Sequence, residues 1–188
     1  MKIIQPSVKL LHATPQNLIP HVARASYQSY AKQSEDTDAQ LLAHLRKNEE
    51  SPLEFAWAVL DITCSFAAHV HLLRHRFFSQ SWRSQRYDET MQFVLPAGLS
   101  EAHTEVFAGD YASTETEFLL LRQDGLKKQD ARYITPQGVA VQGFMAGNAR
   151  AWVSFLKLRT SKKAMPETRL IAQLIEAELK QVWPEVIL

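Results

Sequence analysis

RHRFFSQSWRSQRY, Arg74 to Tyr87, crowds four arginines, a histidine and three serines into fourteen residues with no acid among them. The chain around it is nearly neutral: 21 Lys and Arg against 20 Asp and Glu leave a net charge of +1 over 188 residues. The positive charge is therefore local. That suits a small anionic ligand better than a nucleic-acid polymer, whose binders are usually strongly basic. Arginine presents a rigid fork of donors matched to phosphate or carboxylate oxygens, and serine hydroxyls and loop N–H groups add short donors. A loop holding Arg83, Ser84 and Arg86 beside a helix carrying Arg74 and Arg76 reads as a phosphate pocket. The competing reading is a solvated basic surface paired with Asp88, Glu89 and more distant acids.

With 46% hydrophobic and 22% charged residues, the chain has the composition of a globular domain able to bury a core without metals or disulfides. We expect a single domain over residues 1–188. The one cysteine, Cys64, excludes an internal disulfide and suits a reducing cytoplasm. It sits in an apolar run, the context of a buried thiol rather than a nucleophile. The N-terminal residues lack a long apolar core, so no signal peptide is expected, and no run approaches the ~18 apolar residues of a membrane span.

Periodicity and capping signals predict mixed helices and strands. A strand is expected within 2–11 and a helix over 15–30. A second helix, carrying Leu41, Leu42 and Leu45, is opened by a Thr37/Gln40 capping box and ends near Asn48. FAWAVLDITC, residues 55–64, reads as a strand apolar on both faces. Ser65 is expected to cap a helix reaching Arg76, and Ser79 to Tyr87 to form a loop. Further expectations are a short strand at 91–95, a long helix capped by Ser100 and broken at 123–125, and helical turns at 127–133. A strand at 139–145, a helix over 147–159 and a last helix over 166–182 complete the order. No regular βαβ rhythm appears, so the fold class is α+β.

Residue order adds information beyond charge. Arg74-His75-Arg76, a seven-residue gap and Ser84-Gln85-Arg86-Tyr87 resemble the signature of the flavin-dependent thymidylate synthases, the ThyX family. ARASY at 23–27 resembles that family's early ARxSF/Y segment, and SPLEF at 51–55 its SPFEH. Ala131-Arg132 resembles the pair whose arginine reaches the nucleotide phosphate. GNARAWVSFLKLR at 147–159 resembles its NAR…F…LR helix. The resemblance implies a ThyX-like fold, with mixed helices and an antiparallel-rich central sheet. It also implies a homotetramer that methylates C5 of dUMP, or of a related pyrimidine nucleotide, using methylenetetrahydrofolate, FAD and NADPH.

Carried over position by position, it implies that His71, Arg74, Ser84, Gln85, Arg86, Arg132 and Arg159 bind the nucleotide. Ser84, Arg86 and Arg132 are then near the phosphate. Arg159 meets the uracil and favours ionisation at N3, the one catalytic assignment. Flavin contacts are implied for Ser26, Ser51, Glu54, Arg74, His75, Arg76, Phe77, Trp82, Asn148, Arg150 and Ser154.

The chain also departs from the pattern. Ser81 and Trp82 stand where the family carries Asn and Glu, His71 replaces a Gln, and Phe55 replaces a His. Glu49 or Glu50 takes a position where His is usual. Of the family's HAQWE segment, 163–168 keeps Ala164 and Glu167. Trp82 stacks on a flavin, folate or base, or fills a gap. Alternative products follow from these changes: hydroxymethylated dUMP, methylated UMP, or none, in a nucleotide-binding homologue without turnover.

At ~100° per residue, Asn148 and Arg159 fall within about 20° of each other on their helix, with Arg150 and Ser154 on the opposite side. That predicts a helix lining two sites of an oligomer. His71 and His75 share a helix face, but Leu72 stands where a zinc protease motif needs Glu, so no metal site is expected. Neither GxGxxG nor a P-loop is present.

Overall fold

The structure is a computed structural model that describes residues 1–87 and 91–187. Asp88 and Glu89, the acids nearest the arginine-rich stretch, lie outside the described residues. A four-stranded antiparallel sheet forms the centre, in the order β2 (Ser7–Ala13), β3 (Trp57–Ser65), β6 (Ala140–Asn148), β4 (Ser79–Trp82). A second, two-stranded pair joins β1 (Ile3–Ile4) to β5 (Phe93–Val94) in parallel. The helices are α1 (Leu18–Ala23), α2 (Glu35–Lys47), α3 (Phe66–Leu73), α4 (Glu101–Gln123), α5 (Lys128–Ala131), α6 (Ala149–Arg159) and α7 (Pro166–Lys180). The α+β expectation holds, with α3, α6 and α7 packed on the central sheet and α4 on a separate cluster around Phe93.

β3 alternates rather than burying both faces. Ala58, Leu60, Ile62 and Cys64 are fully buried, while Trp57 is exposed and Val59, Asp61 and Thr63 are half-covered. α6 and α7 cover the buried face through Trp152, Phe155, Ile171 and Ile175. Burial pushes the Cys64 thiol up, reinforced by the negative charge of Glu167. A thiol held protonated in the core is a packing residue, not a nucleophile.

The N-terminal strand is split between two sheets as β1 and β2, and α3 ends at Leu73, so Arg74 and Arg76 lie beyond the helix expected to carry them. Three further places differ from expectation. The first helix stops at Ala23 and continues as a 3-10 turn, Arg24–Tyr27, which ends where Gln28 takes a left-handed conformation at φ 48°. The capping box of α2 is Ser34 with Thr37: the Ser34 hydroxyl accepts from the Thr37 N–H at 3.3 Å, and the Thr37 hydroxyl accepts from the Ser34 N–H at 3.1 Å. Thr37 thus ends the box instead of opening it. Third, part of the expected loop after the helix is strand β4, paired residue for residue with β6 from Ser79↔Ala146 to Trp82↔Gly143.

Two glycines on β6 permit that pairing. A Cβ on Gly143 would lie 2.5 Å from the Ser81 carbonyl oxygen and from the Trp82 ring, and one on Gly147 would lie 2.5 Å from the Phe78 ring. Phe78 and Trp82 therefore lie against bare backbone. Gly143→Ala is expected to lose about 1–3 kcal/mol of stability in urea unfolding, because strand backbone must move to admit the methyl group. Gly109→Ala, in α4 with open space around it, is expected to be neutral or to gain up to ~1 kcal/mol. Equal effects at the two positions would overturn this account of β4.

Candidate active site

α3 delivers the arginine-rich stretch, and both of its ends are anchored. At its start the Ser65 hydroxyl accepts from the Ala68 N–H at 3.0 Å and donates to Glu167 Oε2 at 2.6 Å; the Ser65 N–H donates to Glu167 Oε1 at 2.7 Å. Glu167 is buried, so both of its oxygens need donors, and Ser65 supplies them. At the other end, the Gln80 amide donates to the carbonyls of Leu72 at 3.3 Å and His75 at 3.4 Å, and accepts from the Trp82 indole N–H at 2.9 Å.

His75 then meets α6. Arg159 Nε donates to His75 Nε2 at 2.8 Å, Arg159 Nη2 donates to the His71 carbonyl at 3.2 Å, and Nη1 lies 3.5 Å from His71 Nδ1. Burial, and secondarily the charge of Arg159, lower the His75 pKa to about 4. The ring is neutral near pH 7, with Nε2 accepting and Nδ1 carrying the proton. Burial also lowers the pKa of Arg159, which stays charged. A guanidinium has five N–H donors, so donors remain for a ligand. The His75 ring packs edge-on against Phe155, with centroids 4.7 Å apart.

A cavity of about 360 Å³ opens beside His75, lined further by Glu49, Glu54, Phe77, Phe78, Asn148, Arg150, Ala151 and Ser154. Asn148 caps α6 by accepting from the Ala151 N–H at 2.9 Å, which leaves its amide donors available. Arg150 donates to Glu54 at 2.6 Å and Ser154 to Glu49 at 2.7 Å. The Phe77 ring is 87% exposed, a bare aromatic surface at the cavity edge. Flat rings beside paired donors and acceptors fit a flavin ring and a hydroxylated chain.

A second, cationic hollow of about 230 Å³ lies at the far end of the stretch, lined by Arg86, Tyr87, Arg122, Lys127, Lys128 and Gln129. Gln129 links two of the expected phosphate ligands: its side-chain oxygen accepts from Arg86 at 3.3 Å and its carbonyl from Arg132 Nε at 3.3 Å. The Ser84 hydroxyl accepts from the Arg86 N–H at 3.3 Å. The Gln85 side-chain nitrogen is shielded from solvent yet finds no acceptor among the described residues. Such a donor is ordinarily matched by a ligand or water.

A family model described as thymidylate synthase complementing protein matches residues 9–185. The chain belongs to the flavin-dependent thymidylate synthase family. The flavin-dependent thymidylate synthase of Sulfurisphaera tokodaii is 30% identical over 69% of this chain and 55% of its own length. That of Nitratidesulfovibrio vulgaris is 32% identical over 76% and 63%, and that of Mycobacterium tuberculosis 30% identical over 90% and 77%. The chain thus spans little more than half the length of the archaeal relative. The crystal structure of a UMP/dUMP methylase, PolB from Streptomyces cacaoi bound with 5-Br dUMP, matches with a TM-score of 0.89. That match covers 99% of this chain and 95% of the other at 21% identity, which shows a shared fold.

For a flavin-dependent thymidylate synthase-like chain, the structure gathers six of the implied flavin positions, Glu54, His75, Phe77, Asn148, Arg150 and Ser154, around one cavity. On an ideal helix Asn148 and Arg150 would face opposite sides, yet both line this cavity. They share the cavity because Asn148 lies outside the helix as its cap. Ser26 and Ser51 are exposed on 3-10 turns and do not line this cavity. Arg74 and Arg76 are exposed beyond α3 and do not line it either.

Trp82 is directed elsewhere. Its ring lies against Gly143 and 4.4 Å from the His69 ring, so it fills a gap on the helical side of the sheet. His69 is buried there without a hydrogen-bond partner among the described residues. Sequence reading missed Glu49 and Gln129 as site components. It also missed Arg24, which is buried and binds Asp38 and Thr37, locking the ARASY turn onto α2.

The neutral His75 yields a direct check. Its imidazole is expected to titrate by NMR near pH 4, below an ordinary histidine. In Arg159→Ala the midpoint should rise but stay depressed, since burial is the larger cause. A wild-type midpoint near ~6.5, the unperturbed value, would remove the basis for the neutral ring.

Proposed function

We propose that the protein is an enzyme that methylates C5 of dUMP to give dTMP, with methylenetetrahydrofolate as carbon donor and NADPH-reduced FAD as hydride donor. The observation that carries this reading is the convergence of six flavin-type positions on the cavity beside His75, joined through Arg159 to the arginine-rich stretch. Glu54, His75, Phe77, Asn148, Arg150 and Ser154 would hold FAD, which when reduced would supply a hydride there. Every other contribution comes from the chain. The remaining donors of Arg159 hold the pyrimidine and favour its N3 anion. His75, kept neutral, fixes the guanidinium plane without adding a competing charge. Ser84, Gln85, Arg86 and Arg132 hold the phosphate, and Arg74 and His71 the rest of the nucleotide. Cys64 plays no part, being buried and protonated.

The assembly we propose is a homotetramer working in the cytoplasm. Supporting it, the sheet face away from the helices presents Trp57 and Phe144, 43% and 44% exposed, an apolar patch of the kind oligomers cover. Among the described residues no helix is long and apolar enough to cross a membrane.

The mass of the product formed from [5-³H]dUMP with methylenetetrahydrofolate and NADPH decides the reaction. Tritium release with a dTMP mass is expected; a hydroxymethyl product, or turnover of UMP instead, would replace it with a related C5 modification. A shift in melting temperature with dUMP but no tritium release would leave a binding protein. Independently, Arg86→Ala is expected to weaken dUMP binding by about 1.5–3 kcal/mol, the usual worth of a charge-assisted hydrogen bond. Unchanged affinity would remove Arg86 from the phosphate site.

A further inference from the structure

Glu49 stands between two hollows. One carboxylate oxygen accepts from Ser154, on the wall of the cavity beside His75. The other accepts from Lys157 Nζ at 3.1 Å, and Lys157 lines a separate open groove of about 500 Å³. That groove is bordered by Ala43, His44, Arg46, Lys47, Val153 and Glu49 itself. Glu49 is therefore common to both hollows. Its backbone is held in a left-handed conformation, φ 49°, just past the end of α2, where its N–H donates to the Arg46 carbonyl at 3.2 Å. A non-glycine residue adopts this conformation at some cost, which the surrounding contacts must offset.

The groove has the chemistry of an anion site. Arg46, Lys47 and Lys157 are cations, Glu49 is the single acid lining it among the described residues, and the neighbouring Glu50 is occupied by His44 at 3.1 Å. Arg46 Nε is shielded from solvent and has no acceptor among the described residues. Lys157 is 77% exposed, so its pair with Glu49 is weak and easily exchanged for a ligand. The Ser154 bond, followed by Lys157, holds the Glu49 carboxyl below the usual carboxylate range, so the divider stays charged near neutral pH.

We propose that this groove takes the anionic tail, phosphate or carboxylate, of the ligand whose ring occupies the adjoining cavity, with Arg46, Lys47 and Lys157 as its cations. The inference rests on reading that cavity as a site for flavin or pteridine rings. It extends the site past Glu49 and assigns a role to residues outside the arginine-rich stretch. Glu49 becomes a positioning residue: it holds Ser154 toward the ring site and Lys157 toward the tail.

The test is a pair of affinity series measured by equilibrium titration at low and moderate salt. Riboflavin, FMN and FAD vary the phosphate tail; pteroic acid, folic acid and pteroylpentaglutamate vary the carboxylate tail. Affinity is expected to climb along one series, which identifies the tail's source. The Lys47→Ala/Lys157→Ala double variant should lower affinity for the tailed member by about three- to tenfold, as two exposed charge contacts would. It should leave riboflavin and pteroic acid unchanged, and Lys47→Glu/Lys157→Glu should deepen the loss. If neither series climbs, or the climb survives charge reversal, the groove is not the tail site. Flavin binding without any tail dependence overturns the groove alone. A pteroyl series that climbs and collapses on charge reversal, in a protein that takes up no flavin, upholds the groove and overturns the flavin reading of the cavity.

Discussion

Two missing side chains govern this molecule. Gly143 and Gly147 leave bare backbone on the buried face of β6, and Phe78 and Trp82 lie against it. With those rings seated, β4 pairs along β6 and the middle of the arginine-rich stretch, Ser79–Trp82, is pinned to the sheet instead of hanging as a loop. Gln80, between the two rings in sequence, then reaches the Leu72 carbonyl in the last turn of α3 and the His75 carbonyl just beyond it, and so ties β4 to the point where the chain leaves the helix. His75 arrives beside α6 as a result.

From there the site is a matter of which charges are held and which are left exchangeable. Arg159 is held on three sides by His71 and His75, and its neighbour is kept uncharged. A rigid cation beside a neutral imidazole is preorganised for an anion or a carbonyl oxygen. At the cavity rim the pairs are looser. Arg150–Glu54 and Lys157–Glu49 sit in solvent, where such pairs contribute about 0–1 kcal/mol. Such pairs exchange for a ligand's groups at little cost. The deep part is thus set by the fold, and the rim is set by its occupant.

Structural and chemical duties are divided within the same short segments. In ARASY, Arg24 is a buried strut to α2 while Ser26 is exposed. In GNARAWVSFLKLR, Trp152 and Phe155 are core and Arg150 and Ser154 line the cavity. In the segment after α6, Glu167 anchors the start of α3 through Ser65. A residue that matches a motif can therefore serve packing, and only its surroundings say so.

The family, the fold class and the segments that carry the site were legible in the sequence. Motif spacing reflects which backbone positions must face a ligand, and chain order preserves that. Most helices were legible too, because apolar periodicity and caps such as Ser65 and Ser100 are local signals. Three matters were decided only in three dimensions. Strand β4 depended on glycines more than fifty residues further along the chain. The place of Trp82, half-buried against the core, depended on the space above Gly143 and the flank of His69. Glu49 and Gln129 entered the site through contacts with residues distant in sequence, Ser154 and Lys157 for one, Arg86 for the other. Local signals state what a residue can do; its long-range neighbours, set by packing, determine which of those things it does.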